Sequence, residues 1–126
     1  ASAPEFTEEI MWKNFSKKIK KIILKKKIYY LENDYETPYP ITKNLIMNGR
    51  KNKVLNKKIY TTIYITLFHG LKDELVPFKF SQKVFKLFKT RNKKIIKIKD
   101  GDHSLSRKKD LRIICSELSK MTVNII

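Results

Sequence analysis

Two stretches of this chain carry residue types that can do chemistry: His69-Gly70-Leu71-Lys72-Asp73-Glu74-Leu75-Val76-Pro77 and Asp100-Gly101-Asp102-His103-Ser104. Each closes an apolar run that reads as a strand, and a helical run lies between the first motif and the second strand. A carboxylate at the end of one strand and an imidazole just past the next is an arrangement for general acid–base catalysis. The acid fixes the tautomer of the ring and stabilises its cation, while the ring moves a proton at its other nitrogen. Asp73 followed by His103 is the acid-then-base order of a nucleophile–acid–base triad. Glu74 is the alternative acid. Asp100 and Asp102 flank the base, where Asp serves turn formation and hydrogen bonding within the loop. His69, at the end of its strand, reads as structural. No Gly-x-Ser-x-Gly stands upstream of Asp73, so the expected nucleophile is missing from the chain.

Other chemistries find little to work with. The chain has 2 histidines and 1 cysteine, with no His-x-x-x-His or Cys-x-x-Cys spacing, so no metal is expected. Its 3 glycines, Gly49, Gly70 and Gly101, form no phosphate-cradling loop. No cofactor is expected either. Cys115 alone excludes an internal disulfide and suits a reducing, cytoplasmic setting. It falls on the apolar face of a helical run, which predicts a buried, inert thiol.

A net charge of +17 raises the question of nucleic acid, because lysine-dense surfaces bind phosphate through counterion release. Only Arg50, Arg91, Arg107 and Arg112 are arginine, however, and the other 25 basic residues are lysines spread over every element. Lys, Ile and Asn together make 50 of the 126 residues, and all three are encoded by A/T-rich codons. Bidentate arginine forks are scarce. The pattern reads as a solvated surface shaped by composition rather than a nucleic-acid footprint.

The elements that must position Asp73 and His103 lie after Lys58. Ile63, Ile65 and Leu67 alternate with Tyr64 and Phe68, the pattern of a strand covered on both faces as in a parallel sheet. Phe80, Val84, Leu87 and Phe88 follow at helical spacing. Ile95, Ile96 and Ile98 make a second strand, and Leu111, Ile114, Cys115 and Leu118 a closing helix. Strand, helix, strand, helix with short connections is a βαβα unit, whose chemistry sits at the carboxyl ends of the strands. Before Lys58 the chain is helical and irregular. Thr7 is the expected cap of a first helix, with Glu8 and Glu9 in its first turn. Ser16 caps a second, in which Ile19, Ile22 and Ile23 form a stripe among lysines. That basic amphipathic segment reads as a lid packing on a core, with a membrane-surface helix as the alternative. Ile28–Leu31 is extended, Pro38 and Pro40 keep their neighbours out of helix, and Thr42 caps a third helix ending near Gly49. Residues 51 to 58 are the linker candidate. No apolar run reaches the roughly 18 residues of a transmembrane helix.

At these motifs the chain resembles the α/β-hydrolase superfamily, in particular small serine esterases, thioesterases and peptidase-like relatives. His69-Gly-x-x-Asp73-x-x-Val76-Pro77 is similar to the family's acid turn and Gly101-Asp102-His103 to its histidine loop. Ala1-Ser2-Ala3-Pro4-Glu5-Phe6 resembles the segment after the sixth strand, where relatives enter a helical lid. The resemblance implies an α/β fold: the C-terminal part of a hydrolase, with residues 1–58 a strand end plus lid and residues 59–126 the βαβα unit of the core. It implies Asp73 and His103 as catalytic acid and base in hydrolysis of a small acyl ester, thioester or peptide-like substrate. The serine elbow and oxyanion loop would then come from a missing N-terminal half, in cis or as a separate chain. A full hydrolase sheet takes about twice this length, and a chain opening at Ala1 is expected to begin after processing or within a longer protein. The alternative is a non-catalytic basic binding module, for nucleic acid or an acidic surface, on a remnant hydrolase fold.

Overall fold

The computed structural model describes residues 1–34 and 37–123. The chain folds as two units, Glu5–Val54 and Ala1–Pro4 with Leu55–Ile126. The last three residues of the segment expected over 59–126 lie outside the described residues.

The Glu5–Val54 unit opens with a π-helical segment, Thr7–Trp12. Thr7 does not cap it. Glu5 sits in the left-handed region, with φ 61°, and its carbonyl accepts the N–H groups of Glu8 (3.1 Å) and Glu9 (2.8 Å). The backbone itself starts this helix. Helix α1, Lys17–Lys26, is capped as its sequence predicts: the Ser16 hydroxyl accepts the Ile19 N–H at 3.2 Å, and the helix stops at left-handed Lys27. Strands β1 (Ile28–Leu31) and β2 (Tyr39–Thr42) pair antiparallel, with Tyr30 opposite Pro40. Strand β2 was not legible, because Pro40 argues against a ladder; proline is tolerated on an edge, where no N–H is required.

Helix α2, Lys43–Lys51, is capped by Thr42 through the Leu45 N–H at 3.1 Å. It runs through Gly49 rather than ending there. A Cβ on Gly49 would lie 2.0 Å from the Thr7 hydroxyl oxygen, so this glycine admits the opening helical segment. Ile23, Ile41 and Ile46 form the buried centre, with Met11, Trp12, Phe15 and Ile19 against it. The stripe of α1 is thus spent on a core within its own unit.

In the second unit, β3 (Ile59–Tyr60) pairs in parallel with β5 (Phe88–Lys89). The central pair is β4 (Ile65–Gly70) and β6 (Lys93–Ile98), parallel, in register from Ile65↔Lys93 to Gly70↔Ile98. Helix α3, Phe78–Leu87, joins them and buries Phe80, Ser81, Val84 and Leu87. Ile63 lies outside β4 and is exposed, and β4 is only half-buried through Phe68; His69 and Gly70 alone are fully buried. Ala1–Pro4 belongs to this unit but forms no strand.

Helix α4, Lys108–Val123, corrects an expectation. It turns Asp110 and Glu117 inward, while Leu111, Cys115 and Leu118 are exposed. Cys115 is therefore not a buried thiol. The inward carboxylates are held by cations: Glu117 by Lys94 and Lys120, and Asp110 by Arg107. Apolar spacing alone predicted the other face, because it gave these carboxylates no partners.

Candidate active site

The carboxyl ends of β4 and β6 are held together by two glycines with no room for side chains. A Cβ on Gly70 would lie 2.4 Å from the backbone of Gly101 and of Asp102. One on Gly101 would lie 2.9 Å from the Gly70 Cα and 2.6 Å from Leu105 Cδ2. Beyond that point of approach the two loops exchange backbone hydrogen bonds. Leu71 N–H donates to the Ile98 carbonyl at 2.9 Å and Lys72 N–H to the Gly101 carbonyl at 2.8 Å. The turn after β4 and the loop after β6 are thereby one rigid piece.

Asp73 and His103 face each other across that piece. His103 Nδ1 lies 3.1 Å from Asp73 Oδ1 and 3.0 Å from Oδ2. Asp73 Oδ1 also accepts the N–H groups of Leu75 (3.0 Å) and Val76 (2.8 Å), an Asx-type turn that fixes the carboxylate plane. The Asp73 side chain is 0% exposed, and that of His103 is 43% exposed. Burial pushes the Asp73 carboxyl up, but the hydrogen bonds from Val76, His103 and Leu75 together hold it below its ordinary value. An ionised carboxylate only accepts, so His103 must donate from Nδ1. In the neutral ring this leaves a lone pair on Nε2, the state of a general base.

The remaining candidates separate cleanly. Glu74 is exposed and makes no bond to His103. His69 is 1% exposed, shares a hydrogen bond with the Ser81 hydroxyl at 2.7 Å, and meets the Phe78 ring edge-on at 5.2 Å. Burial lowers its pKa against the pull of Asp73, so it is a neutral core residue. Asp102 Oδ1 accepts the Leu105 N–H at 2.8 Å, the turn role expected of it. Asp100 does something else, pairing with Arg107 and Lys109. Arg107 was not picked out from the sequence; the signal was an arginine spaced between Asp100 and Asp110 in a chain whose cations are nearly all lysine. Among the described residues no group of three or more His, Cys, Asp or Glu is placed to hold a metal ion. No described helix is long and apolar enough to cross a membrane.

The fold has counterparts among solved structures. A protein described as a hydrolase from Agrobacterium vitis S4 superimposes with a TM-score of 0.84 over 94% of this chain, at 22% identity. The fold is that of the α/β-hydrolases. Mouse α/β-hydrolase domain-containing protein 10 superimposes with a TM-score of 0.83 over 99% of the chain, again at 22% identity. In sequence, 86 residues are 29% identical to the Mus musculus palmitoyl-protein thioesterase ABHD10, mitochondrial, which is 68% of this chain. No family model matches. The chain spans 46% and 50% of the two hydrolase structures and 28% of the mouse thioesterase. The two-loop piece carrying Asp73 and His103 thus stands on a partial α/β-hydrolase framework.

Proposed function

We propose that the chain supplies the acid and base of a serine hydrolase acting on acyl ester, thioester or amide bonds. The observation that carries this reading is the His103 ring, hydrogen-bonded through Nδ1 to both oxygens of an enclosed carboxylate. In the cycle, His103 Nε2 takes the proton of a serine hydroxyl as that oxygen attacks the acyl carbon. It then returns a proton to the leaving alcohol, thiol or amine. In the second half it takes a proton from the water that attacks the acyl-serine and gives one back to the departing serine oxygen. Asp73 holds the ring in the productive tautomer and stabilises the imidazolium. The serine, in a Gly-x-Ser-x-Gly elbow, and the oxyanion loop belong to a segment outside these residues, joined to them or bound to them. The likeness to a protein named a palmitoyl-protein thioesterase favours acyl thioesters within the three classes.

The test is turnover of an acyl thioester by the chain combined with that nucleophile segment. His103→Ala and Asp73→Asn should each lower kcat by about 10⁴-fold, as loss of a triad acid or base does, with KM nearly unchanged. Full turnover by His103→Ala would overturn the reading.

A further inference from the structure

Arg107 ties the two ends of the histidine loop to each other. Its Nε donates to Asp110 Oδ2 at 2.7 Å and one terminal nitrogen to Asp110 Oδ1 at 2.8 Å. The guanidinium also reaches Asp100 Oδ2 and Oδ1, at 3.3 and 3.4 Å. Asp100 stands at the exit of β6, before the loop, whereas Asp110 lies in the first turn of α4, after it. The Asp110 side chain is 0% exposed and that of Arg107 35%. One planar fork therefore bridges two carboxylates, and between them the chain must arch out and back.

His103 is on that arch. Inside the clamp, the loop is tightened by the Asp102–Leu105 hydrogen bond and by Leu105, which is 6% exposed and held at φ 48°. The Asp73 side of the pair is fixed by its own turn. The His103 side chain is 43% exposed, and apart from its bonds to Asp73 the path of the loop sets where Nδ1 lies. From 3.0 Å, a drift of well under ~1 Å carries the pair past the distance at which it is a hydrogen bond.

We infer that Arg107 is the positioning residue for His103, clamping the loop so that Nδ1 stays on Asp73 and Nε2 stays free for the nucleophile. This rests on the acid–base reading above. A lysine cannot replace it: an ammonium is a point donor and cannot hold two carboxylates in one plane. The role also explains why a cation is placed against a fully enclosed Asp110 at a helix start, where a neutral cap would serve stability alone.

The experiment is a ¹⁵N measurement of the tautomer of each histidine in the 126-residue chain, at a pH where both rings are neutral. Only His69 and His103 contribute, and His69, bonded to Ser81, is an internal control. In the parent chain His103 should carry its proton on Nδ1, against the Nε2 preference of a free imidazole. Arg107→Lys should reduce the Nδ1–H to Nε2–H ratio of His103 by about tenfold, within the range of couplings in one hydrogen-bond network, with His69 unchanged. Should Arg107→Lys fail to fold, Asp100→Asn, at the exposed end of the clamp, should move the same ratio in the same direction. Parent-like Nδ1–H population in either folded variant overturns the positioning role and leaves the acid–base pair standing. A parent chain without Nδ1–H preference removes the pair itself, and the functional reading with it.

Discussion

Gly70 and Gly101 meet backbone to backbone at the ends of β4 and β6, and that meeting sets how closely Asp73 and His103 approach. A side chain on either glycine must push the turn away from the loop. For Gly70 the obstacle is main chain at 2.4 Å, which cannot swing aside. Gly70→Ala should therefore destabilise the second unit by about 3 kcal/mol, the upper end for overpacking a tight site. Urea unfolding gives the value; a change below about 0.5 kcal/mol, the range of ordinary surface substitutions, would show that the two loops are not rigidly joined.

The chain alone should not hydrolyse esters. Acid and base without nucleophile and oxyanion donors lack the groups that make the new bond and bear its charge. Turnover of a p-nitrophenyl ester by the purified 126-residue chain should match the buffer rate. A robust rate abolished by His103→Ala would place the nucleophile inside these residues.

The pair of motifs was readable from sequence because each is local. A strand, a glycine and an acid a few residues on announce a turn, and Gly-Asp-His announces a loop. Helices capped by Ser16 and Thr42 were equally plain, since their hydroxyls and the apolar spacing act within one turn. What sequence did not give depends on partners distant along the chain. Gly49 looked like a helix end and instead makes room for Thr7. Pro40 hid a strand that tolerates it opposite Tyr30. Asp110 and Glu117 lie off the apolar stripe expected of α4, and Arg107, Lys94 and Lys120 pair with them in their inward placement. Arg107 stood out only as a rare arginine between two aspartates, and its meaning lies in joining Asp100 to Asp110.

Acid should weaken the fold through His69. Its folded pKa lies below the ordinary 6.5, so the unfolded chain binds that proton more readily. The stability contributed by neutral His69 is complete above about pH 6.5 and is lost as pH falls through the lower folded value. Comparing chemical denaturation at about pH 7.5 and about pH 5.5, the parent should lose stability that His69→Gln does not lose. Equal losses in both would assign the effect elsewhere. Asp73, depressed in turn below 3.8, protects its own contribution until pH falls beneath that value.

Core truncation should fall hardest on the Glu5–Val54 unit, where Ile23 at 0% exposure meets Ile41 and Ile46. Ile23→Ala should cost about 2–5 kcal/mol by transfer and cavity terms. A cluster this small has few neighbours to collapse into the void. Protease sensitivity between Lys17 and Lys27, with its many lysines, is the convenient readout: trypsin should cut the variant there far faster than the parent. Unchanged cleavage would mean that α1 does not depend on this cluster.

The outward face of α4 should make the isolated chain self-associate. Leu111 and Leu118 are 47% and 59% exposed, and Cys115 lies between them at helical spacing; among the described residues β4 pairs on one side only, with β6. Apolar stripes and open strand edges of this kind recruit further chains. A high positive charge slows that association without supplying stability. The purified chain should thus show a mass that rises with concentration in sedimentation, and Leu118→Lys should lower it toward the monomer. Its thermal transition should fall below about 60 °C, within the range of ordinary domains. Cys115 should meanwhile react with a maleimide in the folded state at a rate close to that in denaturant, since exposure no longer changes on unfolding. A monomer at all concentrations with a cooperative transition above that temperature would mean that the α4 face needs no cover and that these residues suffice for a stable domain.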